Sequence, residues 1–169
     1  MAHKQGTSNG AENQQSSSLK RVRQAAAKSG ISLNLKEFPD GTRTAEQAAS
    51  AVGCEVGQIV KSMVFEAEGK IVLALTSGAN QVDPVALAEI VGVTKCGRAD
   101  ADQVRAETGF AIGGVAPIGH LRPIDTWIDE DLFQYDTVWA AAGTPRHVFG
   151  VAPTVLTEVA GATKASFGV

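Results

Sequence analysis

The sequence predicts a single α+β domain, built on a curved, barrel-like mixed β-sheet with helices packed around it. Three observations lead there. The chain has 169 residues, enough for one substantial core and too few for two ordinary ones. Its apolar residues recur at strand spacing in some short segments and at helix spacing in others. Those segments follow one another without a strict strand–helix–strand rhythm, and no internal repeat is present.

Met1 to Ser18 is rich in Gly, Ser, Asn and Gln and has almost nothing apolar to bury, so residues 1–18 are expected to be a disordered tail and 19–169 the domain. Ser16 to Ser18 offer an N-cap to a helix in which Leu19, Val22, Ala25 and Ala26 share a face, up to Gly30. Ile31, Leu33 and Leu35 alternate with polar residues, as in a half-buried strand closed by the turn Phe38-Pro39-Asp40-Gly41. Thr44-Ala45-Glu46-Gln47 reads as a capping box before a short alanine-rich helix that stops at Gly53.

Gln58 to Phe65 reads as a strand in which Ile59, Lys61, Met63 and Phe65 share one face, and Val60, Ser62 and Val64 the other. Both faces are mainly apolar, which predicts a central strand. Glu68-Gly69 turns it into a hairpin with Lys70 to Thr76. Asp83-Pro84 starts a helix ending at Gly92, Val93 to Cys96 reads as a short strand, and Asp100 with Gln103 caps a helix that ends before Thr108-Gly109. Asp129-Glu130-Asp131-Leu132 is an acidic helix start or a solvated turn. Thr137 to Ala142 and His147 to Val151 read as strands, Pro153 opens the last helix, and the final residues add an edge strand.

Composition narrows the function classes. A net charge of -3 argues against coating nucleic acid by bulk electrostatics, while leaving room for contact through a local patch. Basic residues cluster at Lys20, Arg21, Arg23 and Lys28 and again at Lys95, Arg98 and Arg105, either as solvated faces or as such patches. Cys54 and Cys96 stand far apart without a CxxC partner, the pattern of free thiols. No apolar run approaches the ~18 residues of a membrane span, so the expected location is the cytoplasm.

One stretch stands out, Gly113-Gly114-Val115-Ala116-Pro117-Ile118-Gly119-His120, a rigid shaped loop whose bare backbone suits either a tight turn or the wall of a site. Lys61, mid-strand among apolar neighbours, must reach water, pair with an acid or face a polar cavity. A second turn spans Gly143 to His147. His120 and His147 lack the nearby carboxylates of a metal cluster, no serine or cysteine has a base beside it, and no dinucleotide or phosphate-loop fingerprint occurs, so no metal or cofactor is expected. The residues alone point to a small-ligand pocket of unspecified chemistry.

Four motifs sharpen this: the strand Gln58 to Phe65 with its lysine, the loop Gly113 to His120, the turn Ala141-Ala142-Gly143-Thr144-Pro145-Arg146-His147-Val148-Phe149, and Thr44-Ala45-Glu46-Gln47-Ala48-Ala49. In this order they resemble the YbaK-type aminoacyl-tRNA editing domains, which also occur inserted in bacterial prolyl-tRNA synthetases; the resemblance runs from about Ile31 to the C-terminus. It implies a trans-acting deacylase of mischarged tRNA, with tRNA for proline as the substrate carrier and prolyl-tRNA synthetase or an elongation factor as a possible presenting partner. It also implies catalytic roles for Lys61, Gly113 and Gly114, with Thr44, Ser62, Met63, Pro117, His120, Gly143 and His147 forming the substrate pocket. Lys61 would contact the terminal phosphate or the substrate carbonyl. A bulky residue at Gly114 would then damage activity more than stability. The competing reading is a non-catalytic module that binds the acceptor end, an amino acid or a synthetase.

Overall fold

The computed structural model describes residues 5–169, with side chains from Ser17 onward. The described residues form one α+β domain with a mixed eight-stranded sheet and five α-helices. Helix α1 spans Gln5–Lys28, so its backbone begins well before the expected start near Leu19 and runs through part of the stretch expected to be a tail. Adding a residue to an existing helix costs little once the first turn has formed. The rest of the expected tail, Met1 to Lys4, lies outside the described residues.

The chain continues through β1 (Asn34–Glu37), α2 (Ala45–Val52), β2 (Ile59–Ala67), β3 (Lys70–Ser77) and α3 (Pro84–Val91). It then forms β4 (Gly97–Arg98), α4 (Ala101–Thr108), β5 (Asp125–Asp129), β6 (Val138–Ala141), β7 (His147–Val151), α5 (Pro153–Val159) and β8 (Thr163–Ala165). Local chemistry sets most boundaries. Thr44 caps α2 by accepting from the Gln47 N–H at 3.1 Å, while Gln47 returns its side-chain oxygen to the Arg43 N–H. Asp83 caps α3 ahead of Pro84, and Asp100 and Gln103 form a full capping box on α4. One expectation shifts: the ladder after α3 lies at Gly97–Arg98 rather than Val93 to Cys96, because Cys96 turns inward to the core instead of pairing. Of the two readings of Asp129 to Leu132, the structure shows the acidic helix start: Asp129 is 1% exposed and caps a 3-10 turn over Glu130–Gln134.

The sheet runs β1-β7-β6-β2-β3-β5-β8, with β4 added on β2; β1 and β8 end the path. The β2/β6, β3/β5 and β5/β8 pairs are parallel and the others antiparallel. Alternation sorts the core onto both faces, as predicted for a central β2. Leu73 and Leu75 of β3 join Val60, Val64, Val22, Phe110 and Phe149 on one side. Val72 and Ala74 join Phe65, Leu87 and Phe167 on the other. No helix among the described residues is long and apolar enough to cross a membrane.

Candidate functional site

β2 shares one edge with β3 from Val60 to Ala67. Its other edge is divided: β6 pairs with Ile59 and Val60, β4 pairs with Phe65 and Glu66, and Lys61 to Val64 between them have no strand partner there. A cleft of about 370 Å³ opens at this gap, within the size range of small-ligand sites. Six consecutive residues, Ile59 to Val64, line it. Side chains alternate between the faces of a strand, so a cleft over one face would take every second residue. One that takes all six runs along the edge.

Lys61 enters this cleft and is partly buried. Its Nζ donates to the Asn80 carbonyl at 2.5 Å, leaving two of the three ammonium donors free. Burial pulls the Lys61 pKa below its ordinary value, Glu46 opposes that shift, Arg98 adds to it and Asp129 opposes it. Asn80 is itself held from behind. Its Nδ2 donates to Asp129 Oδ2 at 3.0 Å and Asp131 Oδ2 at 2.7 Å, and Asp129 Oδ2 also accepts from the Ser77 N–H at 3.0 Å. The 167–169 segment closes over this group: Gln81 and Val169 exchange backbone bonds, and a Cβ on Gly168 would stand 2.7 Å from Asn80 Nδ2.

The structure divides the residues that the sequence singled out. Lys61, Ser62, Met63, Thr44 and Gly113 line the cleft. Gly114, Pro117, His120, Gly143 and His147 do not. Gly114 donates its N–H to Ala111 O at 3.0 Å, and a Cβ there would meet Thr144 Cα at 2.9 Å, so the loop and the 143–147 turn are in backbone contact. His120 donates Nε2–H to Ala116 O at 2.7 Å and sits edge-on to Phe110. Burial lowers its pKa, and Arg21 adds to that effect against the bond to Ala116. His147 shares a 2.7 Å hydrogen bond between Nδ1 and Thr144 Oγ1, with Glu37 3.9 Å from its Nε2. Arg21 of α1 ties the loop down by donating to the Gly109 carbonyl at 2.7 Å and the Gly119 carbonyl at 3.4 Å, its guanidinium 4.7 Å from the centre of the Phe110 ring.

Sequence reasoning did not place Arg43, Asn80 or Asp129 at a site, and took Arg98 only as part of a basic cluster. Arg43 and Arg98 bring two more cations to the cleft. Arg98 stood in a basic cluster, which was a usable signal. Asn80 and Asp129 are 49 residues apart and carried none.

The profile of the aminoacyl-tRNA editing domain family matches residues 39–159, a span that holds every residue lining the cleft. The chain belongs to that family. This editing domain is 30% identical over 142 residues to the uncharacterized protein YwhH of Bacillus subtilis (strain 168), a match covering 83% of this chain and 90% of that protein. It is 33% identical over 88 residues to the proline–tRNA ligase of Desulforamulus reducens (strain MI-1), covering 52% of this chain and only 16% of the ligase. The likeness there is to a small part of a much larger enzyme. A solved structure described as a candidate trans-editing enzyme for prolyl tRNA synthetase is similar at a TM-score of 0.85 and 46% identity, over 90% of this chain and 97% of that one.

Proposed function

We propose that this editing domain is a free-standing hydrolase that cleaves the ester between a wrong amino acid and the end of tRNA for proline, acting in the cytoplasm. The observation that carries the reading is the chemistry of the cleft: it holds Lys61 with two free donors, two arginines and an unpaired strand edge. Among the described residues, no carboxylate, imidazole or thiol lines it. An aminoacyl ester is already activated, so a site that orients it against a water and stabilises the developing oxyanion accelerates its hydrolysis without a protein nucleophile. Lys61 would hold a terminal phosphate or polarise the ester carbonyl, with Arg43 and Arg98 as further anion partners. Gly113, with φ +92 and open space where a Cβ would be, lets substrate approach the loop backbone closely. The relatives named for prolyl-tRNA synthetase support proline's tRNA as the carrier, with the synthetase or an elongation factor presenting it.

The test is a deacylation panel of alanyl, cysteinyl, seryl and threonyl esters on tRNA for proline. Turnover of at least one ester, lost in Lys61→Ala, is the expected result. Binding without turnover across the whole panel would reduce the domain to an acceptor-end binding module.

A further inference from the structure

Within a strand, the N–H and C=O of one residue point to the same edge, and successive residues alternate. Two bonds fix which residues of β2 point where. Ile59 O accepts from the Gly78 N–H at 2.7 Å on the β3 side, and Val64 O accepts from the Ala99 N–H at 3.0 Å on the β4 side. Lys61 and Met63 therefore turn their main-chain groups to β3, while Ser62 and Val64 turn theirs to the other edge, Val64 to Ala99 and Ser62 to the gap. Because β6 stops at Val60 and β4 begins at Phe65, the Ser62 N–H and C=O face the cleft with no strand opposite. The Ser62 hydroxyl is also buried without a hydrogen-bond partner. Polar groups left unpaired away from water carry a cost that a ligand with the matching donor and acceptor relieves.

We infer that this gap is the aminoacyl subsite, in which the amino acid docks as a single extra strand residue. Its α-ammonium donates to the Ser62 carbonyl and its ester carbonyl accepts from the Ser62 N–H. This is the two-bond exchange of a hydrogen-bonded antiparallel pair, and an α-amino ester is a small group that carries both halves of it. The charge pattern agrees. Arg43, Lys61 and Arg98 line the cleft and, among the described residues, no carboxylate does, so the substrate's ammonium needs a neutral acceptor, which the open strand supplies. Such a subsite reads what all amino acids share and leaves discrimination among them to the volume around it. Proline fits it poorly, because a ring carbon replaces one of its ammonium hydrogens and fixes the directions of the other two.

The inference deepens the hydrolase reading and rests on it for the identity of the occupant. Amide hydrogen exchange on the full chain tests it, with and without an alanyl-adenosine analogue whose ester oxygen is replaced by N–H. Without ligand, the Ser62 amide is expected to exchange faster than those of Lys61 and Met63, which are bonded to β3. Saturating analogue is expected to slow Ser62 about tenfold or more and leave its two neighbours unchanged. A propionyl analogue, lacking the ammonium, is expected to bind about tenfold or more weakly. A Ser62 amide as slow as its neighbours in the free protein, no slowing at saturation, or equal binding of the two analogues would each overturn the subsite. Deacylation with an unprotected Ser62 would remove the subsite alone. Ser62 protection in a protein that deacylates nothing would remove the hydrolase reading and leave the subsite standing.

Discussion

The two walls of the cleft are built on opposite terms. The β2 wall is regular secondary structure whose outer main-chain groups are left open at Ser62, between the pairing with β6 and the Ala99–Val64 bond. The loop wall, Ala111 to His120, is irregular, and many of its main-chain groups are already taken: the Gly114 N–H by Ala111, the Gly119 carbonyl by Arg21, the Ala116 carbonyl by His120. A glycine-rich loop looks in sequence like the source of free N–H groups, and a strand looks saturated. Here the strand has groups to offer a ligand, and the glycines mostly let pieces of backbone pack against each other. Glycine content marks close approach, and only the structure tells whether a ligand or another stretch of chain is what approaches.

The largest test of that contrast is Lys61→Ala. With the chemistry on the β2 wall, kcat for deacylation should fall by about 10²–10³-fold, the usual loss for one charge-stabilising donor. Thermal unfolding should move little. Activity close to that of the parent protein would return the chemistry to the loop.

Gly114→Leu should show the opposite profile. Its Cβ would press on Thr144 Cα at 2.9 Å and Thr144 C at 3.0 Å, backbone atoms that cannot swing aside. Overpacking of this kind costs about 1–3 kcal/mol, or roughly 2–12 °C in Tm. Calorimetry beside single-turnover deacylation separates the two effects. A variant of normal Tm with abolished turnover would place Gly114 among the reacting groups after all.

Asn80→Ala sharpens the contrast from behind β2. It removes the bonds to Asp129 and Asp131 that hold the carbonyl under Lys61 Nζ. A displaced catalytic group loses up to about 10²-fold, so a drop of about tenfold in kcat with KM nearly constant is expected. Gly168→Ala should act in the same direction, since its methyl would stand 3.0 Å from Asp129 Oδ2 and closer still to Asn80 Nδ2. In a Lys61→Ala background neither change should cost anything further, and an additive loss would show that Asn80 acts by another route.

The smallest effect belongs to the loop wall. The His120 pKa is lowered by burial, so the unfolded chain binds more protons than the fold around and below the ordinary value of 6.5. The stability tied to its neutral ring is therefore present above that value and is lost as pH falls through the lowered folded value. His120→Gln should flatten that part of the denaturation midpoint's pH dependence, and an unchanged profile would mean that His120 does not contribute to it.

Much of this was legible in the chain because its causes are local. The caps at Asp83 and Asp100 act within four residues and appear as read, while at Thr44 the hydroxyl caps as read but Gln47 closes on the Arg43 N–H one residue earlier than a capping box would. A doubly apolar strand with one lysine marked β2 and Lys61, and the same reasoning placed the hairpin turn at Glu68-Gly69. What was not legible depends on distant segments. The gap in β2 exists because β6 and β4 stop where they do, and neither stop is encoded in β2. Asp129 stands in an acidic run that reads as a helix start or a solvated turn, and nothing local says that it is buried, with Ser77 and Asn80 bonded to it. Gly114, Pro117, His120, Gly143 and His147 do not line the cleft, and closeness in sequence pattern does not say which side of the backbone faces it.

The interrupted ladder beside Lys61 also bears on how the fold can be altered. An unpaired strand edge invites pairing with other chains, and proteins limit that hazard by keeping such edges short and placing charge on them. This aperture is short, centred on Ser62, bounded by pairing at both ends, and flanked by a lysine. Lengthening β6 or β4 by two residues would complete the ladder, add hydrogen bonds and close the opening. A thermostable redesign of this domain that optimised strand pairing would thus be drawn towards sealing its own site, the familiar conflict between stability and activity set at one identifiable break in a sheet.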